Sequence, residues 1–180
     1  EAWEKCRSLA ENPSILDEFY SYLCNLGVVA EEKISKILFL SLVSRLFPRP
    51  ISCVLKGPSS GGKSFLVDSC LKFFPPSAFY ARSSMSEHSL AYSDEPLINR
   101  FLILYEAAGL NSDFASYLLR SLLSEGCIKY ETVEKTSDGL KPRLIQREGP
   151  TGCIVTTTAI KLHPENETRL FSLTVTDTPA

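Results

Sequence analysis

The feature that most constrains the fold is a glycine-rich segment, residues 57–64. The segment before it, residues 51–55, is short and apolar, as in a buried strand. The segment after it, from about 63 to 74, has helical character and stops at Pro75 and Pro76, because proline cannot continue a helix. A strand, a tight glycine turn and a helix in this order predict the beginning of a parallel α/β arrangement.

The glycine-rich segment matches the phosphate-binding pattern G-x-x-x-x-G-K-[ST] at every fixed position. Its glycines allow backbone N–H groups to wrap a phosphate chain, Lys63 supplies a positive charge, and the Ser64 hydroxyl can ligate Mg²⁺. The helix that begins near Lys63 adds the positive end of its dipole. The alternative is a flexible Gly/Ser turn, which the flanking strand and helix argue against. We therefore predict that ATP and Mg²⁺ bind at Gly57, Pro58, Ser59, Ser60, Gly61, Gly62, Lys63 and Ser64.

The rest of the chain divides into a helical segment, residues 1–47, and a core, residues 48–180. The helical segment predicts two helices, one that ends at Gly27 and one from about 31 to 47 that Pro48 stops. In the core, apolar runs alternate with amphipathic segments. They predict strands at 78–81, 101–105, 152–158 and 170–176 and helices at 85–92 and 112–124.

Between the last predicted helix and the next strand lies a candidate β-hairpin at about 128–148. Residues 128–136 and 142–148 alternate in polarity about Ser137, Asp138 and Gly139, which is a typical hairpin signal. The predicted fold class is α/β, with a mostly parallel sheet flanked by helices, an inserted hairpin and an N-terminal helical segment.

The apolar run 101–105 ends in Glu106, which makes Glu106 the candidate for the hydrolytic acid. Nucleotide hydrolysis needs a carboxylate that polarises the attacking water. The usual pattern ends such a strand with Asp-Glu, and here Tyr105 occupies the place of the Asp. The alternative is that Glu106 only caps the strand in solvent. We predict that Glu106 is the catalytic base and that Ser64 and Glu106 are the protein groups nearest Mg²⁺.

Two further positions are candidates for contact with the terminal phosphate. The run 152–158 begins apolar and ends in hydroxyls, so Thr157 or Thr158 could orient water or the γ-phosphate at the carboxyl edge of a parallel sheet. Threonine is also common in strands, so this run could be ordinary β structure. Arg169 lies just before the last strand and could reach the γ-phosphate of a neighbouring subunit. Its alternative is a surface salt bridge with Glu165 or Glu167.

The hairpin is a candidate contact for nucleic acid. Lys135, Lys141 and Arg143 lie near its tip, and a protruding basic loop is attracted to phosphate. Acidic residues make the whole hairpin nearly neutral, so a solvated mixed-charge hairpin is the alternative.

Composition places the chain among ordinary globular proteins. Hydrophobic residues make up 44% and the net charge is −2, so any nucleic-acid contact must come from a local patch. None of the six cysteines forms a C-x-x-C pair, which favours reduced core cysteines over zinc or disulfides. No apolar run is long enough to span a membrane, so we expect a cytoplasmic protein without membrane contact.

The order of these features resembles that of AAA+ P-loop ATPases with a hairpin before the polar strand. The segments 56–64, 105–109, 148–158 and 162–173 carry the resemblance, within a matching region of about 30–178. The chain is similar to the ATPase core of MCM-like helicases, in particular the primase–helicase and replication proteins of phages and mobile elements.

The resemblance implies a motor domain that hydrolyses ATP and moves along DNA. It implies a homo-oligomeric ring, in most cases a hexamer, with the hairpin in a central pore and Arg169 acting in trans. No helical lid follows the last strand, so we expect the chain to be a fragment of a larger protein. Two alternatives are a nucleotide-dependent assembly switch or loader with slow hydrolysis and a small-molecule kinase, whose Arg-rich lid and acceptor pocket are not visible in the sequence.

Overall fold

The computed structural model describes residues 1–83, 86, 88–106, 113–137, 139–158 and 164–175. Three helices come first: α1 (Ala2–Ala10), α2 (Ile15–Asn25) and α3 (Glu32–Val43). A 3-10 turn, Ser44–Leu46, follows α3, so this helix tightens and ends before the prolines that were expected to stop it.

The core begins at β1 (Cys53–Lys56), and strands and helices then alternate as the sequence predicted. The remaining elements are α4 (Lys63–Leu71), a 3-10 turn (Pro76–Ala78), β2 (Phe79–Arg82), α5 (Ser89–Tyr92), β3 (Arg100–Leu104), α6 (Asp113–Glu125), β4 (Cys127–Thr136), β5 (Gly139–Glu148), β6 (Thr151–Thr157), α7 (Pro164–Glu167) and β7 (Phe171–Thr174).

Five strands form one parallel sheet in the order β2-β3-β6-β1-β7. The other two, β4 and β5, pair with each other as an antiparallel hairpin, and residue 136 lies opposite 139 at its tip. The predicted α/β class, with a parallel sheet, flanking helices and an inserted hairpin, is therefore confirmed. The hairpin strands are longer than predicted, and Asp138 of the predicted turn lies outside the described residues.

Both faces of the sheet are covered, which explains why its central strands read as continuous apolar runs. On the first face, Leu55 of β1 and Ile103 of β3 share a buried cluster with α2, α3 and α4. On the second face, Val54 and Leu102 share a cluster with α5, α6 and the base of the hairpin. Alternate residues of each strand point to opposite faces, as strand geometry requires.

The helices that connect the strands lie on different faces of the sheet. The helix α4, which follows β1, packs on the first face, whereas α5 and α6 pack on the second face. In parallel sheets a crevice opens at the carboxyl ends of the strands where neighbouring connections take opposite faces. The carboxyl end of β1 lies at such a point, beside β6.

All six cysteines are free thiols. Three of them, Cys53, Cys70 and Cys153, are buried, Cys127 is half-buried, and the other two are exposed. Burial raises the pKa of the Cys70 thiol to about 12, so this thiol stays protonated at neutral pH. The prediction that cysteines lie in the core is confirmed for these three positions.

Candidate functional site

The segment 57–64 connects β1 to α4 at the middle of the carboxyl edge of the sheet. The Gly57 N–H donates a hydrogen bond to the Thr157 carbonyl of β6 at 3.3 Å. On the other side, the Val175 N–H donates to the Lys56 carbonyl at 2.8 Å. The loop is therefore held between the ends of its two neighbouring strands.

Two positions of the loop adopt left-handed backbone conformations, Ser60 with φ 66° and Gly62 with φ 71°. Gly57 is required for a different reason, because a Cβ there would lie 2.9 Å from the Val175 carbonyl oxygen. The glycines thus let the chain pass close to the end of β7 and turn sharply into α4.

The loop ends at the amino terminus of α4. The first helical hydrogen bond runs from the Leu66 N–H to the Gly62 carbonyl at 2.8 Å. The N–H groups of Lys63, Ser64 and Phe65 precede it and have no acceptor within the helix. Such N–H groups, together with the positive end of the helix dipole, favour an anion at this position.

Lys63 is the one lysine among the buried residues of the described chain, with a relative exposure of 8%. Its ammonium group donates hydrogen bonds to the carbonyls of Gly57 at 3.0 Å and Pro58 at 2.5 Å. A buried ammonium needs such partners, because desolvation without them is costly. The loop's own backbone therefore holds a positive charge beneath the amino terminus of α4.

The loop opens into a cavity of about 270 Å³. Glu106 and Thr156, from the carboxyl ends of β3 and β6, form its opposite wall. The full lining is Ser59, Ser60, Gly61, Gly62, Lys63, Ser64, Phe65, Glu106 and Thr156. The structure therefore brings most of the predicted phosphate loop and the predicted catalytic base together.

Glu106 is exposed and adopts a left-handed backbone conformation, with φ 65°. Its N–H donates a hydrogen bond to the Thr156 hydroxyl oxygen at 3.0 Å. A left-handed residue other than glycine carries roughly 1–3 kcal/mol of strain and persists only where its surroundings fix it. Such residues cluster at ligand sites, and both Ser60 and Glu106 line this cavity.

The threonine that reaches the cavity is Thr156, whereas the sequence favoured Thr157 or Thr158. Thr157 is buried and, by strand alternation, shares its face with Val155. Thr158 is exposed beyond the end of β6. Thr156 shares its face of β6 with Ile154, which packs on the α4 face, because residues two apart in a strand point to the same side.

A second cavity, of about 260 Å³, borders the same loop on its other side. It lies between residues 60–62, the chain that joins α2 to α3, and the end of β7. Its wall includes the apolar side chains of Val28, Val29, Leu66 and Val175 and also contains Glu31. Sequence reasoning did not find this cavity, because residues 27–31 contain no motif.

Arg169 lies at the opposite edge of the sheet from the cavity. It precedes the amino end of β7, whose four residues span about 13 Å. Its Nε donates to the Ser124 hydroxyl at 2.6 Å, and its guanidinium also donates to the Glu165 carbonyl. The carboxylates suggested as its partners pair elsewhere, Glu165 with Arg120 and Glu167 with Lys56.

The three basic residues near the hairpin tip do not form one patch. Directly opposed residues of the two strands share a face, so Lys141 lies with Glu134 on one face and Lys135 lies with Leu140 on the other. Arg143 also pairs with the Glu134 carboxylate. The positive charge near the tip is thus divided between two faces and partly neutralised.

No cluster of three His, Cys, Asp or Glu residues that could hold a metal ion occurs in the described part of the chain. The Ser64 hydroxyl and the Glu106 carboxylate line the same cavity and could each contact a metal ion. This donor set fits Mg²⁺, which is usually bound by one or two carboxylates together with substrate phosphates and water.

The fold and the cavity define an α/β protein with a glycine-rich loop at the carboxyl edge of a parallel sheet. No known family model matches the chain, and no curated protein matches it. Every helix in the described residues is too short or too polar to cross a membrane.

Proposed function

We propose that this chain binds ATP at residues 57–64 and hydrolyses it with Glu106 as the general base. The observation that carries this proposal is the shared cavity. One wall offers N–H groups, the Lys63 ammonium and the Ser64 hydroxyl, and the facing wall offers the Glu106 carboxylate. Donors suited to phosphate thus face an acid suited to activating water.

In the proposed reaction, Lys63 and the N–H groups at the start of α4 hold the β- and γ-phosphates. The Glu106 carboxylate accepts a proton from a water molecule whose oxygen attacks the γ-phosphorus. The bond between the γ-phosphorus and the bridging oxygen breaks, and its electrons remain on ADP. Thr156 holds the Glu106 backbone through the 3.0 Å hydrogen bond.

Ser64 and Glu106 would hold Mg²⁺ together with the phosphates and water. The ion would neutralise charge on the phosphate oxygens during transfer. The second cavity would take the nucleoside, because apolar side chains form part of its wall and it shares Ser60, Gly61 and Gly62 with the phosphate cavity.

We further propose that the domain is the motor of a DNA replication helicase or translocase, within a larger primase–helicase-like protein. The resemblance in motif order supports this role, and two structural observations agree with it. Arg169 is remote from the cavity of its own chain, so it would act on the cavity of a neighbouring copy in a ring. The hairpin strands have ten residues each, about 33 Å in length, and their outer half is exposed, as contact with DNA requires.

The direct test is calorimetry of Mg·ATP binding to Lys63→Ala, with Lys72→Ala as the matched control. Both changes remove one lysine from the α4 region, but Lys72 is exposed at the end of the helix. We expect Lys63→Ala to weaken binding at least about a hundredfold, because it removes the charge aimed at the phosphates. Equal affinity in wild type and Lys63→Ala would contradict the proposal.

A second candidate function is a nucleotide-dependent assembly switch or loader that hydrolyses slowly. Glu106 is the one carboxylate among the described residues that line the cavity. A single acid, without a second carboxylate for the metal ion, favours slow turnover. ATP-dependent oligomerisation without stimulation of hydrolysis by single-stranded DNA would support the switch over the motor.

A further inference from the structure

The side chain of Tyr105 crosses from the end of β3 to the helix that begins at the phosphate loop. Its ring packs against the buried cluster between the sheet and α4. Its hydroxyl donates a hydrogen bond to the Asp68 carboxylate of α4. Burial, and secondly this hydrogen bond, raise the pKa of the Tyr105 hydroxyl, so it stays protonated and remains a donor at neutral pH.

Asp68 lies in the middle of α4, one turn after the residues of this helix that line the candidate site. It follows Ser64 by four residues, and residues four apart lie on the same face of a helix, one turn from each other. Asp68 is exposed, so an isolated carboxylate here would be free to move in solvent. The contact with Tyr105 therefore joins a residue of β3 to the face of α4 that presents Ser64.

The residue after Tyr105 is Glu106, and hydrogen bonds fix the chain on both sides of this pair. The Tyr105 N–H donates to the Arg82 carbonyl of β2 at 3.1 Å. The Glu106 N–H donates to Thr156 of β6. These two bonds tie the backbone within the sheet, and the Tyr105 hydroxyl ties it to α4. A left-handed Glu106 needs this degree of constraint, because the strained conformation would otherwise relax.

We propose that Tyr105 and Asp68 form a positioning pair that holds Glu106 at a fixed distance from the phosphate loop. The proposal rests on the proposed hydrolytic function of the cavity. Neither residue lines the cavity, so neither contacts the reacting atoms. The contact between Tyr105 and Asp68 links the end of β3 directly to α4, whereas an acid at position 105 would make this link through the metal ion.

The test compares Tyr105→Phe, Asp68→Ala and the double variant with wild type. Tyr105→Phe keeps the half-buried ring and removes only the hydroxyl, so the fold is retained, as thermal unfolding would verify. Tyr117→Phe is the matched control, because Tyr117 is half-exposed on α6 and away from the cavity. For each protein, calorimetry gives the Kd for Mg·ATP and single-turnover hydrolysis gives the rate of the chemical step.

We expect Tyr105→Phe and Asp68→Ala each to slow the chemical step roughly tenfold, as befits the loss of a hydrogen bond to a charged group. The Kd should stay within about twofold of wild type, because the groups that bind the phosphates are unchanged. The double variant should be no slower than either single variant, since each change removes the same contact.

An unchanged rate in Tyr105→Phe, additive losses in the double variant, or a Kd that rises as much as the rate falls would overturn the positioning role. In each of these outcomes wild type still binds and hydrolyses ATP, so the proposed function stands. A wild-type chain that neither binds nor hydrolyses Mg·ATP would contradict both.

Discussion

The carboxyl edge of the sheet and the outer half of the hairpin both contain charged residues, but the two regions hold them differently. At the edge, Lys63 is buried against two carbonyls. In the hairpin, Arg143 and Glu134 pair while their side chains remain 56% and 41% exposed. A buried charge depends on its partners, whereas an exposed pair contributes only about 0.2–1 kcal/mol. The edge therefore tolerates few residue types at each position, and the outer hairpin tolerates many.

The hairpin itself contains both situations. At its base, Ile128 and Ile145 are buried against α5 and α6. Arg147 donates hydrogen bonds to the carbonyls of Leu90, Ser93 and Glu95, which precede β3. Farther out, Val133, Leu140 and Leu144 are largely exposed. The base is therefore part of the core, and the outer half is held by its own ladder.

The largest expected effect concerns the edge. Glu106→Gln should lower ATP hydrolysis by a factor of about 10²–10⁴, because the amide cannot accept the proton of the attacking water. Binding of Mg·ATP should be retained, since the phosphate loop is intact. The comparison protein is Glu131→Gln in the hairpin, which should hydrolyse at the wild-type rate. A steady-state phosphate-release assay measures the hydrolysis rate of both variants. Equal rates would mean that the carboxyl edge and the hairpin do not differ in their contribution to hydrolysis.

A smaller difference should appear in stability. Leu102→Ala in β3 should reduce the free energy of unfolding by about 2–5 kcal/mol, because Leu102 is fully buried. Leu140→Ala near the hairpin tip should change it by less than about 0.5 kcal/mol, because 74% of Leu140 is exposed. Urea unfolding measures both. A large loss for Leu140→Ala would mean that the outer hairpin is packed against something in solution.

The smallest expected effect is on DNA binding by the hairpin. The slope of the logarithm of the DNA-binding constant against the logarithm of the salt concentration measures the number of phosphate contacts. Replacing Lys141 and Arg143 with Gln should reduce the magnitude of this slope by at most about two, one for each phosphate contact. The reduction should be smaller still, because Glu134 already pairs with Arg143. Exchange of the exposed lysines 33 and 72 for Gln is the control for net charge. An identical salt dependence in all three proteins would exclude this face of the hairpin as a DNA contact.

The variant Lys135→Gln sharpens the same experiment. Lys135 lies on the opposite face of the hairpin from Lys141. A further reduction of the salt dependence in this variant would mean that DNA contacts both faces. No further reduction would assign the contact to the face that contains Lys141.

Most of the architecture could be predicted because its signals are local. The glycine loop, the prolines after α3 and α4, and the apolar runs of β1, β3 and β6 each mark an element within a few residues. The boundaries differed where helices tightened or ended early: α3 gives way to a 3-10 turn at Ser44, and α5 begins only at Ser89. The predicted helix start at Met85 lies outside the described residues.

The site could be predicted only in part, because some of its contacts join distant residues. Lys63, Ser64 and Glu106 follow from motifs at the ends of predicted strands. The contact between Tyr105 and Asp68 spans 37 positions, and no sequence pattern pairs these two residues. The choice of Thr156 over Thr157 depends on which face of β6 meets α4, and therefore on the strand order, which sequence alone did not give.

The lengths of the strands have a consequence for how copies of this chain can meet. Both outer strands of the parallel sheet, β2 and β7, have four residues, whereas β6 at its centre has seven. A short outer strand offers few unpaired backbone groups to another strand. Extension of the parallel sheet from one molecule into the next is thereby disfavoured.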